Sequence, residues 1–152
     1  MTSQTFNNKI RILLIEDNVG DVRLTQEIFK NSKLSNNIDV MSNGIEALAF
    51  LRREGQYRDA VHPDLILLDL SLPRRGGMEV LLEIKADDAL KLIPVVILTS
   101  SQAEQDIVTS YNLHANAYVV KPIKLDDFIT VIKSIEDFWV GVVKLPPNEK
   151  EC

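Results

Sequence analysis

Cysteine and long apolar stretches are nearly absent from this sequence. The single cysteine is the last residue, Cys152, so no disulfide can form within the chain. No apolar run approaches the roughly 18 residues that a membrane-spanning helix needs. The opening segment Met1–Lys9 is polar and lacks the apolar region of a secretion signal. We therefore expect a cytoplasmic protein that does not insert into a membrane.

An excess of positive charge is also missing. The formal net charge is −5, and both signs are spread along the 152 residues. Nucleic-acid-binding proteins usually concentrate basic residues, so we do not expect nucleic acid as the main partner. The length fits one domain, which we place at residues 1–145. A loose polar tail, marked by a pair of prolines, is expected at residues 146–152.

Short apolar runs alternate with longer stretches of helical period along the chain. The runs are rich in β-branched residues, and the longer stretches carry apolar residues one turn apart, such as Leu24 with Ile28 and Leu48 with Leu51. We predict strands over Ile10–Ile15, Ile38–Ser42, Asp64–Asp69, Pro94–Thr99 and Ala117–Val120. We predict helices over Asp21–Lys33, Gly44–Arg53, Met78–Ala86, Ala103–Asn112 and Leu125–Trp139.

This alternation predicts the α/β class, with a doubly wound five-stranded parallel sheet and five helices. The strand runs are apolar on both faces, as expected for a sheet that helices cover on both sides. In such sheets, ligands bind beyond the carboxyl ends of the strands, where the strand order reverses. The functional residues are therefore expected at those strand ends.

Polar residues do stand at the predicted strand ends. Each of them alone is better explained as a helix cap or a solvated loop residue. Together they bring three carboxylates, a hydroxyl and an ammonium to one edge of the sheet, and this coincidence indicates a site. In chain order they are Glu16 and Asp17, Asp69, Thr99, and Lys121 with Pro122.

These residue types could act together as a site for a metal ion and a phosphoryl group. Clustered carboxylates repel one another, so at least one of them should have a raised pKa unless a cation neutralises the group. Oxygen ligands without histidine or cysteine suit Mg²⁺ and make zinc an unsuitable occupant. An aspartate carboxylate can attack phosphorus and form an aspartyl phosphate. Lys121 and Mg²⁺ would then supply positive charge, and the Thr99 hydroxyl would donate to a phosphoryl oxygen.

At this point the sequence resembles the receiver domains of two-component response regulators. The resemblance covers the chain from Lys9 to about Trp139 and depends on five motifs in the family's order and spacing. They are Glu16-Asp17, Asp69, Pro73 with Gly76-Gly77, Thr99, and Lys121-Pro122. The first acid is glutamate here, where many relatives have aspartate. Its longer side chain should still reach a metal-bound water.

The resemblance implies a role for each matching residue. Asp69 would be the phosphoacceptor and a Mg²⁺ ligand, and Asp17 would bind the metal directly. Glu16 would act through water, and the backbone carbonyl of Ser71 would be a further ligand.

The same resemblance implies a switch. Thr99 and Tyr118 would be the hydroxyl and the aromatic residue that change position on phosphorylation. Lys121 would contact the phosphate, and its bond to Pro122 would be cis.

A finer resemblance is to the small response regulators that serve cyanobacterial phytochromes. It depends on the long loop Arg52–Pro63, on the segment Ile135–Trp139, and on the absence of an output domain. It implies a histidine kinase, possibly a phytochrome, as the phosphoryl donor and an unidentified protein as the downstream partner. We also expect a homodimer through the C-terminal helix, because that helix carries more apolar surface than one core-facing stripe uses.

Two other functions fit the sequence less well. A haloacid-dehalogenase-like phosphohydrolase would carry a second aspartate two positions after its nucleophile, where this chain has Ser71. A pseudo-receiver would lack one of the site residues, and all of them are present.

The pair Gly76-Gly77 does not indicate a nucleotide-binding loop. We interpret it as a flexible turn in the loop after Asp69.

Overall fold

Five parallel strands form the sheet at the centre of the fold. The computed structural model describes residues 10–31, 35–72, 76–100 and 117–121, together with residues 106, 124, 126 and 130. The strands are β1 (Ile10–Ile15), β2 (Asn36–Met41), β3 (Leu65–Asp69), β4 (Val95–Thr99) and β5 (Ala117–Val120). Their order is β2-β1-β3-β4-β5, and all neighbours are parallel. The predicted doubly wound sheet is confirmed.

Three α-helices lie wholly within the described residues, namely α1 (Val19–Lys30), α2 (Gly44–Leu51) and α3 (Gly77–Ala86). The other two predicted helices fall outside those residues, except for Asp106, Asp126 and Thr130, which are helical. Within the described ranges, no helix has both the length and the apolar character to span a membrane. The expected tail at 146–152 also lies outside the described residues.

The strands separate two clusters of buried side chains. On one face, Leu13 and Ile66 belong to a cluster with residues of α2 and α3. On the other face, Leu14 and Leu67 belong to a cluster with Phe29 of α1. Every residue of β3 and β4 is buried, which explains why their sequences are apolar without alternation.

Helix boundaries differ from the predicted ones for local reasons. Helix α1 begins two residues earlier than expected, because the Asn18 side chain caps it by accepting the Asp21 backbone N–H. Helix α2 ends at Leu51 rather than at Arg53, since Arg53 has a left-handed φ of 58°. Leu24, which we used to identify α1, is 37% exposed.

Thr25 takes the buried position beside Leu24. Its hydroxyl donates to the Asp21 carbonyl at 2.8 Å, so the polar group is satisfied inside the fold. The other predicted inward-facing residues, Leu48 and Leu51 of α2, are buried as expected.

Two ring side chains tie the long loop between α2 and β3 to the rest of the fold. Tyr57 packs edge-on against Phe50, with ring centroids 5.5 Å apart. His62 Nε2 lies 3.1 Å from the carbonyl oxygen of Leu51, at the end of α2. With its proton on Nε2, the ring donates to a carbonyl that the helix itself leaves without a partner.

The two glycines after Asp69 do not form the flexible turn that we predicted. Gly76 is the N-cap of α3, and Gly77 is its first residue and is buried. A Cβ atom on Gly77 would lie 2.5 Å from Leu70 Cα and closer still to the Asp69 carbonyl oxygen. Only glycine allows α3 to approach the end of β3 this closely.

We predict that Gly77→Ala destabilises the protein. The overlap with the backbone of β3 should lower the free energy of unfolding by about 1–3 kcal/mol. We expect this loss even though alanine is more favourable than glycine in a helix interior by about 1 kcal/mol. Urea unfolding followed by circular dichroism measures the difference.

Gly76→Ala is the matched control, because a Cβ atom there has no other heavy atom within 4 Å. Its effect should stay below about 1 kcal/mol, the range for an N-cap that lacks a polar side chain. Equal loss of stability in both variants would show that close approach is not the reason for Gly77.

Candidate functional site

The strand ends bring the predicted residues to one edge of the sheet. Because Ile15 of β1 pairs with Leu68 of β3, Glu16 and Asp69 lie side by side one residue further along. Lys121 follows β5 directly and reaches the same edge. The structure therefore places the acids and the ammonium together at the carboxyl ends of the strands, as predicted.

Three carboxylates form the centre of the site. Oxygen atoms of Glu16, Asp17 and Asp69 lie within 4.8 Å of one another. Glu16 and Asp69 are buried, whereas Asp17 is exposed and leaves one side of the group open to solvent. Backbone N–H groups hold the buried pair: Asn18 donates to Glu16 at 3.2 Å, and Ser71 donates to Asp69 Oδ1 at 3.0 Å.

The Lys121 ammonium binds carboxylates from three different elements. Its Nζ lies 2.9 Å from Asp21 Oδ2, 3.0 Å from Glu16 Oε1 and 3.4 Å from Asp69 Oδ2. Asp21 belongs to α1, Glu16 follows β1 directly and Asp69 ends β3. One side chain thus links the first helix to the sheet and faces more negative charge than it can neutralise.

Glu16 shows the cost of this crowding. Burial is the main reason that its pKa is raised to about 7, and the hydrogen bond and negative charge of Asp69 raise it further. Lys121 acts in the opposite direction but does not cancel these effects. The expectation that one of the clustered carboxylates has a raised pKa is confirmed.

Lys121 responds in the complementary way. Burial alone would lower its pKa, but the adjacent carboxylates of Asp21 and Glu16 and the charge of Asp69 outweigh burial and raise the pKa. The side chain therefore stays an ammonium at any physiological pH.

A divalent cation fits this group of residues. Glu16 Oε1 is buried and has no hydrogen-bond partner in the part of the chain that the structure describes, although the Lys121 ammonium lies near it. The group offers only oxygen ligands, and a hard cation would relieve the repulsion among them. The set of Glu16, Asp17 and Asp69 that we predicted as metal ligands is therefore suited to such an ion.

Of the remaining predicted site residues, the structure describes Thr99, Tyr118 and Ser71 but not Pro122. Thr99 is buried at the end of β4, and Tyr118 is half-buried against the cluster of α2 and α3. Ser71 lies two residues beyond Asp69 and contacts it through its N–H group, while the role of its carbonyl stays a prediction. Pro122 lies outside the described residues, and so does the predicted cis bond.

Sequence reasoning missed Asp21. This residue is in the first turn of α1, where an acid is usually explained by the helix dipole. Its contact with Lys121 is the shortest of the three ion pairs. The available signal was its position, one helical turn after Asp17 at the carboxyl end of β1.

Comparison with known proteins gives one consistent family. Residues 12–133 match the response regulator receiver domain. The response regulator Rcp1 of Synechocystis sp. is 46% identical over 135 residues, which cover 89% of this chain and 92% of Rcp1. A solved Mn²⁺-bound form of Rcp1 superposes with a TM-score of 0.73 at 45% identity, covering 90% of this chain and 99% of Rcp1.

Two further solved structures agree. The bacteriophytochrome response regulator RtBRR is 45% identical with a TM-score of 0.81, covering 92% of this chain and 85% of its own. The phosphorylated cyanobacterial phytochrome response regulator RcpA is 47% identical with a TM-score of 0.75, covering 91% of this chain and 99% of its own. On the sequence match, the sheet order and these likenesses, this chain belongs to the response regulator receiver domains, the signalling switches of two-component systems.

Proposed function

We propose that this protein is a phosphorylation switch in which Asp69 accepts a phosphoryl group from a histidine kinase. The observation that carries the proposal is the position of the Asp69 carboxylate. It lies between a pair of acids suited to a metal ion and the Lys121 ammonium, 3.4 Å from Oδ2. The similar protein RcpA has a solved structure in a phosphorylated form, which supports the proposal.

The chain's own residues prepare the transfer. The Ser71 N–H fixes the rotation of the Asp69 carboxylate by binding Oδ1. A carboxylate oxygen attacks phosphorus, and the new O–P bond forms as the N–P bond to the kinase histidine breaks. The departing imidazole keeps the electron pair of that bond and takes up a proton. Lys121 stabilises the charge on the phosphoryl oxygens, so the domain assists its own phosphorylation and dephosphorylation.

Mg²⁺ is the proposed cofactor. Asp17 and Asp69 would bind it directly, Glu16 through water, and Ser71 through its carbonyl oxygen. When bound, the ion supplies positive charge at the phosphoryl oxygens. The Mn²⁺-bound form of Rcp1 supports a divalent ion in this family.

Thr99 and Tyr118 are the proposed switch. A phosphoryl group on Asp69 would accept a hydrogen bond from the Thr99 hydroxyl and draw it inward, and Tyr118 would turn into the vacated space. A ligand shifts a conformational equilibrium only through contacts that differ between the two states, and this hydrogen bond is such a contact. Contact with Lys121 and a cis bond to Pro122 complete the proposed phosphate-binding set.

The proposed donor is a phytochrome-type histidine kinase. Support comes from the names of the similar proteins, which include phytochrome response regulators at 45% and 47% identity. The proposed output is contact with a downstream protein.

A homodimer is proposed from the C-terminal sequence. The predicted helix Leu125–Trp139 carries one apolar row suited to the core. A second row, which one side of a sheet cannot also cover, comprises Val131, Ile135, Phe138 and Val142. These residues lie outside the described part of the chain. The alternative is that Gly141–Leu145 folds back over the second row.

We predict that Asp69 is the only phosphoacceptor and that the reaction needs Mg²⁺. Incubation with acetyl phosphate and Mg²⁺ should add one phosphate to the wild type, and none to Asp69→Asn. Chelation with EDTA should abolish the adduct, because the acid group would then repel the donor. Intact-mass measurement reads the result.

Asp59→Asn is the charge-matched control, since Asp59 is exposed in the loop before β3, away from the carboxyl ends of the strands. A full adduct on Asp69→Asn, or equal labelling in EDTA, would refute the proposal. Profiling phosphotransfer from the host's histidine kinases would test the donor, and a phytochrome-type kinase should label the protein fastest.

We predict that Thr99→Ala uncouples phosphorylation from switching. A hydrogen bond to a charged group is worth about 1.5–3 kcal/mol, enough to move a balanced equilibrium. The variant should bind beryllofluoride, a phosphoryl mimic, without the change in the Tyr118 ring NMR signals that the wild type shows. Thr99→Ser keeps the hydroxyl and should retain the change. Normal Tyr118 changes in Thr99→Ala would rule out this route.

We predict a dimer in solution that Phe138→Asp disrupts. A buried aspartate would leave an uncompensated charge in an apolar interface. Light scattering on a size-exclusion column should give a dimer mass for the wild type and a monomer mass for the variant, with phosphorylation intact. A monomeric wild type at micromolar concentration, with and without beryllofluoride, would rule the dimer out.

A further inference from the structure

The Lys121 ammonium is already paired with negative charge. Three carboxylates surround it at 2.9, 3.0 and 3.4 Å. A phosphoryl oxygen that approaches Lys121 must therefore compete with these acids for a single positive charge.

Asp21 is the acid that can be released at least cost. Its side chain is 26% exposed, so water can replace Lys121. The side chains of Glu16 and Asp69 are 0% and 3% exposed and have no such access. The backbone contacts of Asp21, with the Asn18 side chain and the Thr25 hydroxyl, do not involve its carboxylate and would persist.

We propose that Asp21 is a positioning residue that competes with the phosphoryl group on Asp69 for Lys121 and thereby limits the stability of the phosphorylated state. The inference depends on the proposed function of Asp69. It adds a residue that acts on that site through Lys121 rather than by touching the phosphoryl group.

The charge of Asp21 should act in opposite directions on the two ligands of the site. Removing it takes one negative charge from beside the carboxylate group, which weakens attraction for a cation. The same change releases Lys121 and removes repulsion of an anion, so a phosphoryl mimic should bind more tightly. A variant that merely damaged the fold would weaken both.

The experiment compares the wild type with Asp21→Asn by isothermal titration calorimetry. Mg²⁺ is titrated first, and beryllofluoride is then titrated at saturating Mg²⁺. For Asp21→Asn we expect the Mg²⁺ dissociation constant to rise and the beryllofluoride constant to fall, each by a factor of about two to five, as for ion pairs with access to solvent. The phosphorylated form made with acetyl phosphate should also decay more slowly.

Two variants serve as controls. Asp59→Asn changes the net charge equally at an exposed position before β3 and should leave both constants unchanged. Asp21→Glu keeps the charge within reach of Lys121 and should restore values near those of the wild type. Rescue by Asp21→Glu would show that the negative charge at this position sets both constants.

Opposite shifts in Asp21→Asn with rescue by Asp21→Glu would support the inference. If the wild type binds beryllofluoride and folded Asp21→Asn binds it equally or more weakly, competition by Asp21 is refuted and the role of Asp69 stands. A wild type that binds no beryllofluoride in Mg²⁺ would refute the proposed function and this inference together.

Discussion

The site depends on one ammonium group that holds carboxylates from separate elements of the fold. Lys121 follows β5, and it contacts acids that follow β1, belong to α1 and end β3. Its charge is the reason that three buried or half-buried acids can lie so close together. The compensation is incomplete, because burial and, after it, the neighbouring Asp69 still raise the pKa of Glu16 to about 7. The residual negative charge suits the group to a divalent cation.

The sheet gives this arrangement its rigidity. Strands β3 and β4 are buried throughout, and each face of the sheet packs against its own cluster of side chains. A parallel register then fixes Asp69 beside Glu16, since Ile15 and Leu68 are paired just before them. The site residues thus lie at the ends of strands that cannot slide without exposing apolar surface.

The strands of the parallel sheet and the site acids could be predicted from the sequence because both follow from simple regularities. Apolar runs alternate with helical stretches, and parallel strands end at a common edge, which was sufficient to group Glu16, Asp17, Asp69 and Lys121. The errors came from interactions that no local pattern specifies. Thr25 can be buried because its hydroxyl donates a hydrogen bond to the Asp21 carbonyl. Leu24, the neighbouring residue, therefore lies on the outward side of α1. The partnership of Asp21 with Lys121 joins residues 100 positions apart, and only the position of Asp21 near the carboxyl end of β1 hints at it.

Gly77 has a mechanical consequence. No side chain separates the first turn of α3 from the backbone of Asp69 and Leu70, so the two segments touch main chain to main chain. Main-chain contacts have no rotamers with which to absorb a displacement. A shift in the backbone at the end of β3 would therefore be transmitted to α3 as movement of the whole helix rather than dissipated in side-chain rearrangement. The missing methyl group makes this junction stiff, and α3 extends that stiffness from the carboxylate cluster to the outer surface of the protein.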